Sequence, residues 1–277
     1  MIDGKTKLIA HLGYPTESFK APMIYNPYFD RYAINAVVVP MGCKADDYPQ
    51  FLRLLSRLSN IHGALVTMPH KVATVMLLDE MSVSVKVAGS CNAVRVEPEG
   101  KLVGEMFDGE GFVRGVQRKG RVLAGARVLV AGNGGVGSAI AASFAKAGVA
   151  ELGLFDAHEL TMNGLAERLQ AHYRDLKVTV GSNDPAGYDV VVNATPLGMK
   201  PGDPLPMDVT RIASSAFVGE VVMETEITPF LAAAVKKGCD YQIGTDMLFE
   251  QIPAYLEFFG FRTTTPEELR SLAQISY

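Results

Sequence analysis

The chain has 277 residues, a length at which one core usually gives way to two of about 100 to 150 residues each. Its residues are 48% apolar and 20% charged, which excludes fibrous architecture and long disordered tails. With 26 Lys and Arg against 30 Asp and Glu the net charge is −4, and no block of like charge stands out. That balance speaks against nucleic acid held by counterion release and for a small-molecule partner.

The opening residues MIDGKTKLIAHLGYPTES lack a long apolar leader, and nowhere do 18 uncharged apolar residues run together. The expectation is a soluble, cytoplasmic protein with no membrane partner. KLIAHLG (7–13), INAVVVP (34–40) and GALVT (63–67) read as strands, with helical stretches near 22–33 and 46–58 between them; KLVGEM (101–106) is also strand-like. From Ala126 the run ARVLVAG, NGGVGSAIAASFAKAG, ELGLFD reads as strand, glycine turn, helix and strand, a βαβ unit. Alternation continues through a helical stretch at 158–174, KVTV (177–180), YDVVVNAT (188–195), AFVGEVVM (216–223) and DYQIG (240–244). Such a series predicts a parallel sheet covered on both faces. The helical segment 246–260 is expected to return to the N-terminal part.

Gly132-Asn133-Gly134-Gly135-Val136-Gly137 satisfies G-x-G-x-x-G between a strand and a helix. The first glycine suits the tight turn, the second lets backbone approach a pyrophosphate, and the third lets helix and strand pack closely. The helix N-terminus behind the loop favours phosphate. Asp156 follows 19 residues after Gly137, at the end of the second strand, where a carboxylate accepts hydrogen bonds from a ribose and repels a 2′-phosphate. No Lys or Arg occurs between Asp156 and Arg168, so NAD rather than NADP is expected. The alternative for Asp156 is a cap on the helix that starts near His158. The expected fold is therefore α/β, two α/β domains separated by a cleft. They are an N-terminal substrate domain over 1–109, with 245–277 returning to it, and a central Rossmann dinucleotide-binding domain over 110–244.

Lys71 stands in VTMPHK after a predicted strand and Asp108 in GEMFDGEG after another. These stretches resemble the shikimate and quinate dehydrogenase family, whose pattern contains V-T-x-P-x-K and a later G-x-N-T-D-G. Further matches are Gly13-Tyr14-Pro15 with Pro22, Ala88-Gly89-Ser90-Cys91-Asn92, the glycine loop, Asn193-Ala194-Thr195-Pro196-Leu197-Gly198-Met199, Thr228-Pro229-Phe230, and Gly244-Thr245-Asp246-Met247-Leu248 with Gln251. The resemblance implies hydride transfer between a nicotinamide and a secondary alcohol, with Lys71 and Asp108 as the catalytic pair. It implies Thr67, Asn92 and Gln251 at ring hydroxyls, and Asn193, Ala194, Thr195 and Gly244 beside the cofactor. The chemistry agrees, because oxidising an alcohol needs a group that takes the hydroxyl proton. A free lysine, with a pKa of about 10.4, is a poor base near neutrality; desolvation improves it and a paired carboxylate opposes that change.

The departures from the family pattern concern the substrate. Phe19 and Ala21 stand where the family has a Ser-x-Ser carboxylate clamp, Phe107 where it has a threonine before the aspartate, and Met106 and Leu65 where it has asparagines. Met223 replaces a tyrosine. Each polar group of the usual substrate left unpaired costs about 1 to 3 kcal/mol, so shikimate is expected to bind poorly and a modified or less polar cyclic alcohol better. The alternatives are that Phe19, Met106, Phe107 and Met223 are core residues, or that a two-residue slip puts Ser18 at the clamp. His70 reads as structural, and His11, His62 and the three cysteines form no constellation; no metal site or disulfide framework is expected. The competing function is a catalytically idle NAD-binding metabolite sensor. The expected assembly is a monomer or homodimer.

Overall fold

The computed structural model describes residues 2–275. The chain divides into two compact units: one runs up to Phe107 and resumes at Gln251, and the other is Asp108–Glu250. In chain order the first unit contributes β1 (Lys7–Gly13), α1 (Pro22–Arg31), β2 (Ala36–Gly42), α2 (Tyr48–Leu55), β3 (Ile61–Val66), α3 (Lys71–Thr74), β4 (Glu80–Met81), α4 (Val83–Ala88), β5 (Ala93–Val96) and β6 (Leu102–Glu105). The second contributes α5 (Asp108–Arg118), β7 (Arg127–Ala131), α6 (Gly135–Lys146), β8 (Glu151–Phe155), α7 (Glu159–His172), β9 (Lys177–Val180), β10 (Val190–Asn193), β11 (Phe217–Glu220), α8 (Pro229–Lys236) and β12 (Asp240–Gln242). Helix α9 (Gly244–Phe258) begins in the second unit and ends in the first, followed by α10 (Pro266–Leu272).

The first sheet has the order β2-β1-β3-β5-β6-β4. β1 runs parallel to β2 and β3, while β5 runs antiparallel to β3 and β6. The C-terminal ends of β1, β2, β3 and β6 therefore share one edge with the N-terminal end of β5, and Gly13, Thr67, Asn92 and Phe107 fall at or just beyond it. Apolar packing holds this sheet: Ile9, Ala10 and Leu12 of β1 are wholly buried, and α1 buries Ile24, Tyr25, Tyr28 and Phe29 at helical spacing.

The second sheet is parallel throughout, in the order β12-β11-β10-β7-β8-β9. This is the doubly wound arrangement, and its order reverses between β7 and β10, which places a ligand crevice at the carboxyl ends of those two strands. The runs VLVA and VVVN are buried on both faces, as a sheet between two helical layers requires.

The unit boundaries fall two residues earlier and six residues later than the expected 109 and 245. α5 starts at Asp108 and belongs to the second unit because Gly109 lies against the Ala139 carbonyl of α6, where a side chain would overlap it. Arg118 and Lys119 at the end of α5 pair with Glu250 and Asp246, which holds the first half of α9 in the same unit. No helix among the described residues is long and apolar enough to cross a membrane. Cys43, Cys91 and Cys239 are buried thiols.

Candidate functional site

In the second unit the glycine loop sits where β7 hands over to α6. Gly132 has φ +89°, and a Cβ there would lie 2.6 Å from the Ala194 carbonyl carbon, so only glycine fits. A Cβ at Gly137 would overlap the Gly132 carbonyl oxygen. Gly134, the cap residue of α6, has nothing within 4 Å of its Cβ position. The loop is thus tight on its protein side and open at Gly134, before the first amides of a 12-residue helix whose dipole favours an anion. Gly135 and Val136 form the first helical turn.

Asn133 is fully buried; its N–H donates to Asp156 Oδ2 at 2.5 Å and its side-chain amide donates to the Val130 carbonyl at 3.3 Å. Asp156 also accepts from the His158 N–H at 2.8 Å. Its carboxylate therefore ties the glycine loop to the turn that leads into α7; His158 is the cap residue of that helix, which has no side-chain cap bond, so the capping alternative does not describe Asp156. At the end of β10, Asn193 Oδ1 accepts from the Thr195 N–H and hydroxyl, and its amide donates to the Leu197 carbonyl. With no surface exposed, Asn193 shapes the loop from inside. Ala194 anchors that loop to β7 through a 2.7 Å bond from its N–H to the Ala131 carbonyl. Gly244, which opens α9, leaves no room for a side chain against the Val222 carbonyl, and Met223, the residue after Val222, is half-buried.

Glu220, at the end of β11, is the group in this unit that sequence reading passed over. It is wholly buried, accepts a 2.9 Å bond from the Thr228 hydroxyl on Oε2, and leaves Oε1 without a partner. Burial pushes its carboxyl up to about 7, against the opposing pull of Thr228 and nearby Asn193. Asp108, the first residue of α5, is buried as well.

The first unit gathers its polar groups at the sheet edge described above. Lys71 opens α3 and is buried, and its carbonyl accepts from the Cys91 N–H, one residue before Asn92. The Asn92 side chain has a fixed orientation: Oδ1 accepts from the Phe107 N–H at 2.9 Å, which turns its amide nitrogen away, buried and without a partner. Thr67, half-buried, is held by a 2.8 Å bond from its N–H to the Leu12 carbonyl. Tyr255 donates from its hydroxyl to the Asn92 carbonyl, and Gln251 lies four residues earlier on α9, one turn away on the same face. Gln251 is buried and its Oε1 has no partner.

The residues that depart from the family pattern divide. The Phe107 ring packs on Tyr255 and Phe258 at 4.7 and 5.7 Å, so its ring is core, as the alternative reading had it, while its N–H aims Asn92. Met106 and Leu65 are buried too, and Ala21 precedes α1 with its carbonyl accepting from Ile24 and Tyr25. Phe19 stays half-buried and stacks on His11 at 4.1 Å. His70 is structural: its ring lies parallel to Tyr48 at 3.9 Å, and Nε2 donates to the Cys43 carbonyl. Among the described residues no group of three or more His, Cys, Asp or Glu could hold a metal ion.

The profile of the shikimate dehydrogenase substrate binding domain matches residues 12–94. The shikimate dehydrogenase (NADP(+)) of Rubrobacter xylanophilus is 33% identical over 90% of this chain and 89% of its own. Among solved structures, quinate dehydrogenase from Corynebacterium glutamicum in complex with NAD is 26% identical with a TM-score of 0.84, covering 96% of this chain and 98% of that one. The ligand-free 5-ketofructose reductase of Gluconobacter sp. strain CHM43 has the same fold, with a TM-score of 0.85 at 24% identity over 98% of both chains. The match to the family's substrate-domain profile, two α/β units and a one-third identity sustained along nearly the whole length make one conclusion: the chain belongs to the shikimate dehydrogenase family.

Proposed function

We propose that this chain is an NAD-dependent oxidoreductase that moves a hydride between the nicotinamide and a secondary alcohol of a cyclic polyol or hydroxy acid, with shikimate not its best substrate. The observation that carries the reading is Asn92. An amide donor buried without a partner, aimed by a backbone N–H and next in the chain to Cys91, whose N–H bonds the carbonyl of buried Lys71, is a binding group waiting for an acceptor. Thr67, Asn92 and Gln251 hold the substrate's hydroxyls. Lys71 takes the hydroxyl proton during oxidation and returns it during reduction, and Asp108 orients the ammonium. Gly134 and the first amides of α6 receive the pyrophosphate, and their openness fits such a group. The nicotinamide supplies the hydride acceptor.

Asp156 supports NAD, because a carboxylate at a strand end repels a 2′-phosphate and no cation follows before Arg168. The curated relative is named for NADP(+) and the quinate dehydrogenase structure holds NAD, so cofactor choice is the first thing to measure. The test follows reduced nicotinamide with both cofactors against shikimate, quinate, myo-inositol, fructose and 5-ketofructose. Turnover with NAD well above NADP is expected, and Asp156→Asn should narrow the gap. Equal use of both cofactors would overturn the Asp156 argument, and no turnover of any compound would overturn the enzyme reading.

A further inference from the structure

β1 reads as an apolar strand with one exception, His11. Its ring is 7% exposed, lies 29° from parallel to Phe19 at a centroid distance of 4.1 Å, and its Nδ1 is buried with no hydrogen-bond partner. A buried imidazole nitrogen without a partner costs stability unless a ligand or water satisfies it. Phe19 and Thr67 both lie within 3 Å of the Cβ position at Gly13, two residues from His11, so the stack stands beside Thr67. The Lys71 charge is felt at the His11 ring. His11 thus stands at the sheet edge that holds Thr67, Lys71 and Asn92.

We propose that His11, braced by Phe19, is a specificity-determining residue that hydrogen-bonds a substrate hydroxyl, and that the substrate is an uncharged polyhydroxylated compound rather than a carboxylic acid. The inference rests on reading this edge as the substrate site. Besides the Tyr25 hydroxyl on α1, three buried polar atoms of the unit lack partners among the described residues: Asn92 Nδ2, a donor; Gln251 Oε1, an acceptor; and His11 Nδ1, which can be either. Hydroxyl groups both donate and accept, so a polyol satisfies all three. A carboxylate only accepts; it would be repelled by Gln251 Oε1 and would meet a phenyl face at Phe19, where the family pattern has serine hydroxyls. Burial, with Lys71 adding to it, pushes the His11 imidazole down to about 3, so it offers no positive charge to a carboxylate near neutrality.

The test measures direct binding to the full chain, by calorimetry, of the three uncharged compounds above and of shikimate and quinate. His11→Leu and His11→Gln are compared with the parent, and the ring-nitrogen shifts of His11 are followed by NMR in labelled parent protein. At least one uncharged compound is expected to bind more tightly than both acids, and its affinity to stay flat between about pH 5 and 8. His11→Leu should weaken it about tenfold and His11→Gln should keep most of it. The Nδ1 shift should move on saturation. Tighter binding of either acid, no binding of any uncharged compound, equal binding by His11→Leu, or an Nδ1 shift unmoved by a bound ligand would each overturn the inference. Should a variant not fold, the shift in the parent decides alone. His11-dependent binding without hydride transfer would uphold the inference and overturn the oxidoreductase reading.

Discussion

The two units build their sites from different material. The second uses backbone: a glycine turn with φ +89°, a helix N-terminus, and buried side chains such as Asn193 whose bonds go to neighbouring loop atoms. The first uses side chains from separate elements, and the Phe107 N–H aims one of them, Asn92. A backbone site recognises what all its ligands share, on the proposed reading a phosphate, and tolerates little change. A side-chain site recognises what differs, and can be rebuilt one residue at a time without disturbing the sheet beneath it.

Substitutions break this comparison at graded strengths. Lys71→Met should lower kcat by about 10²- to 10⁴-fold, the range for removing an acid–base group, while leaving nucleotide affinity in the second unit unchanged; a loss of both would mean the two sites do not fail separately. Gly137→Ala forces a methyl into the Gly132 carbonyl, so the loop must move. Overpacking of this kind costs roughly 1–3 kcal/mol of stability, and calorimetry should find nucleotide binding weakened with substrate binding to the first unit retained. Asn92→Ala removes a donor and strands the Phe107 N–H, which at about 1–3 kcal/mol per unpaired group should raise KM by tenfold or more and leave the nucleotide Kd in place.

The smallest effect concerns Glu220 and is read from pH. Its folded value of about 7 lies above the ordinary 4.5, so the folded state holds a proton that the unfolded chain releases. The stability it contributes is complete below about pH 4.5 and is lost as pH rises through 7. Glu220→Gln keeps an acceptor for Thr228 and cannot ionise. Relative to the parent it should gain about 1–3 kcal/mol between pH 5 and pH 8 in urea melts. A parallel pH profile in parent and variant would mean that Glu220 titrates normally.

The contrast also explains what could be read from the chain alone. The parallel sheet was legible because VLVA and VVVN are continuous apolar runs, and the glycine loop because each glycine acts within six residues of the next. α5 was not read as a helix: Gly109, Gly111 and Gly115 lower its propensity, and what they allow is close packing, as Gly109 on α6 shows. His11 and the aiming of the Asn92 amide are harder still. A histidine in KLIAHLG looks like a tolerated core residue, and only the packed unit reveals that its Nδ1 meets nothing. Phe107 reads as a lost polar contact, whereas its ring is core and its N–H sets the direction of an amide 15 residues earlier in the chain.

The bond from the Asn133 N–H to Asp156 has an evolutionary consequence. On the proposed reading, the carboxylate that discriminates between cofactors also holds the turn that receives them. Replacing it with the serine or arginine that a phosphorylated ribose would favour removes an acceptor from a buried N–H, so the first step of a switch weakens the loop before it improves the fit. Exchange of nucleotide preference in this chain is therefore epistatic: it should succeed only in a background where another acceptor, or a residue at 133 that needs none, has already arrived.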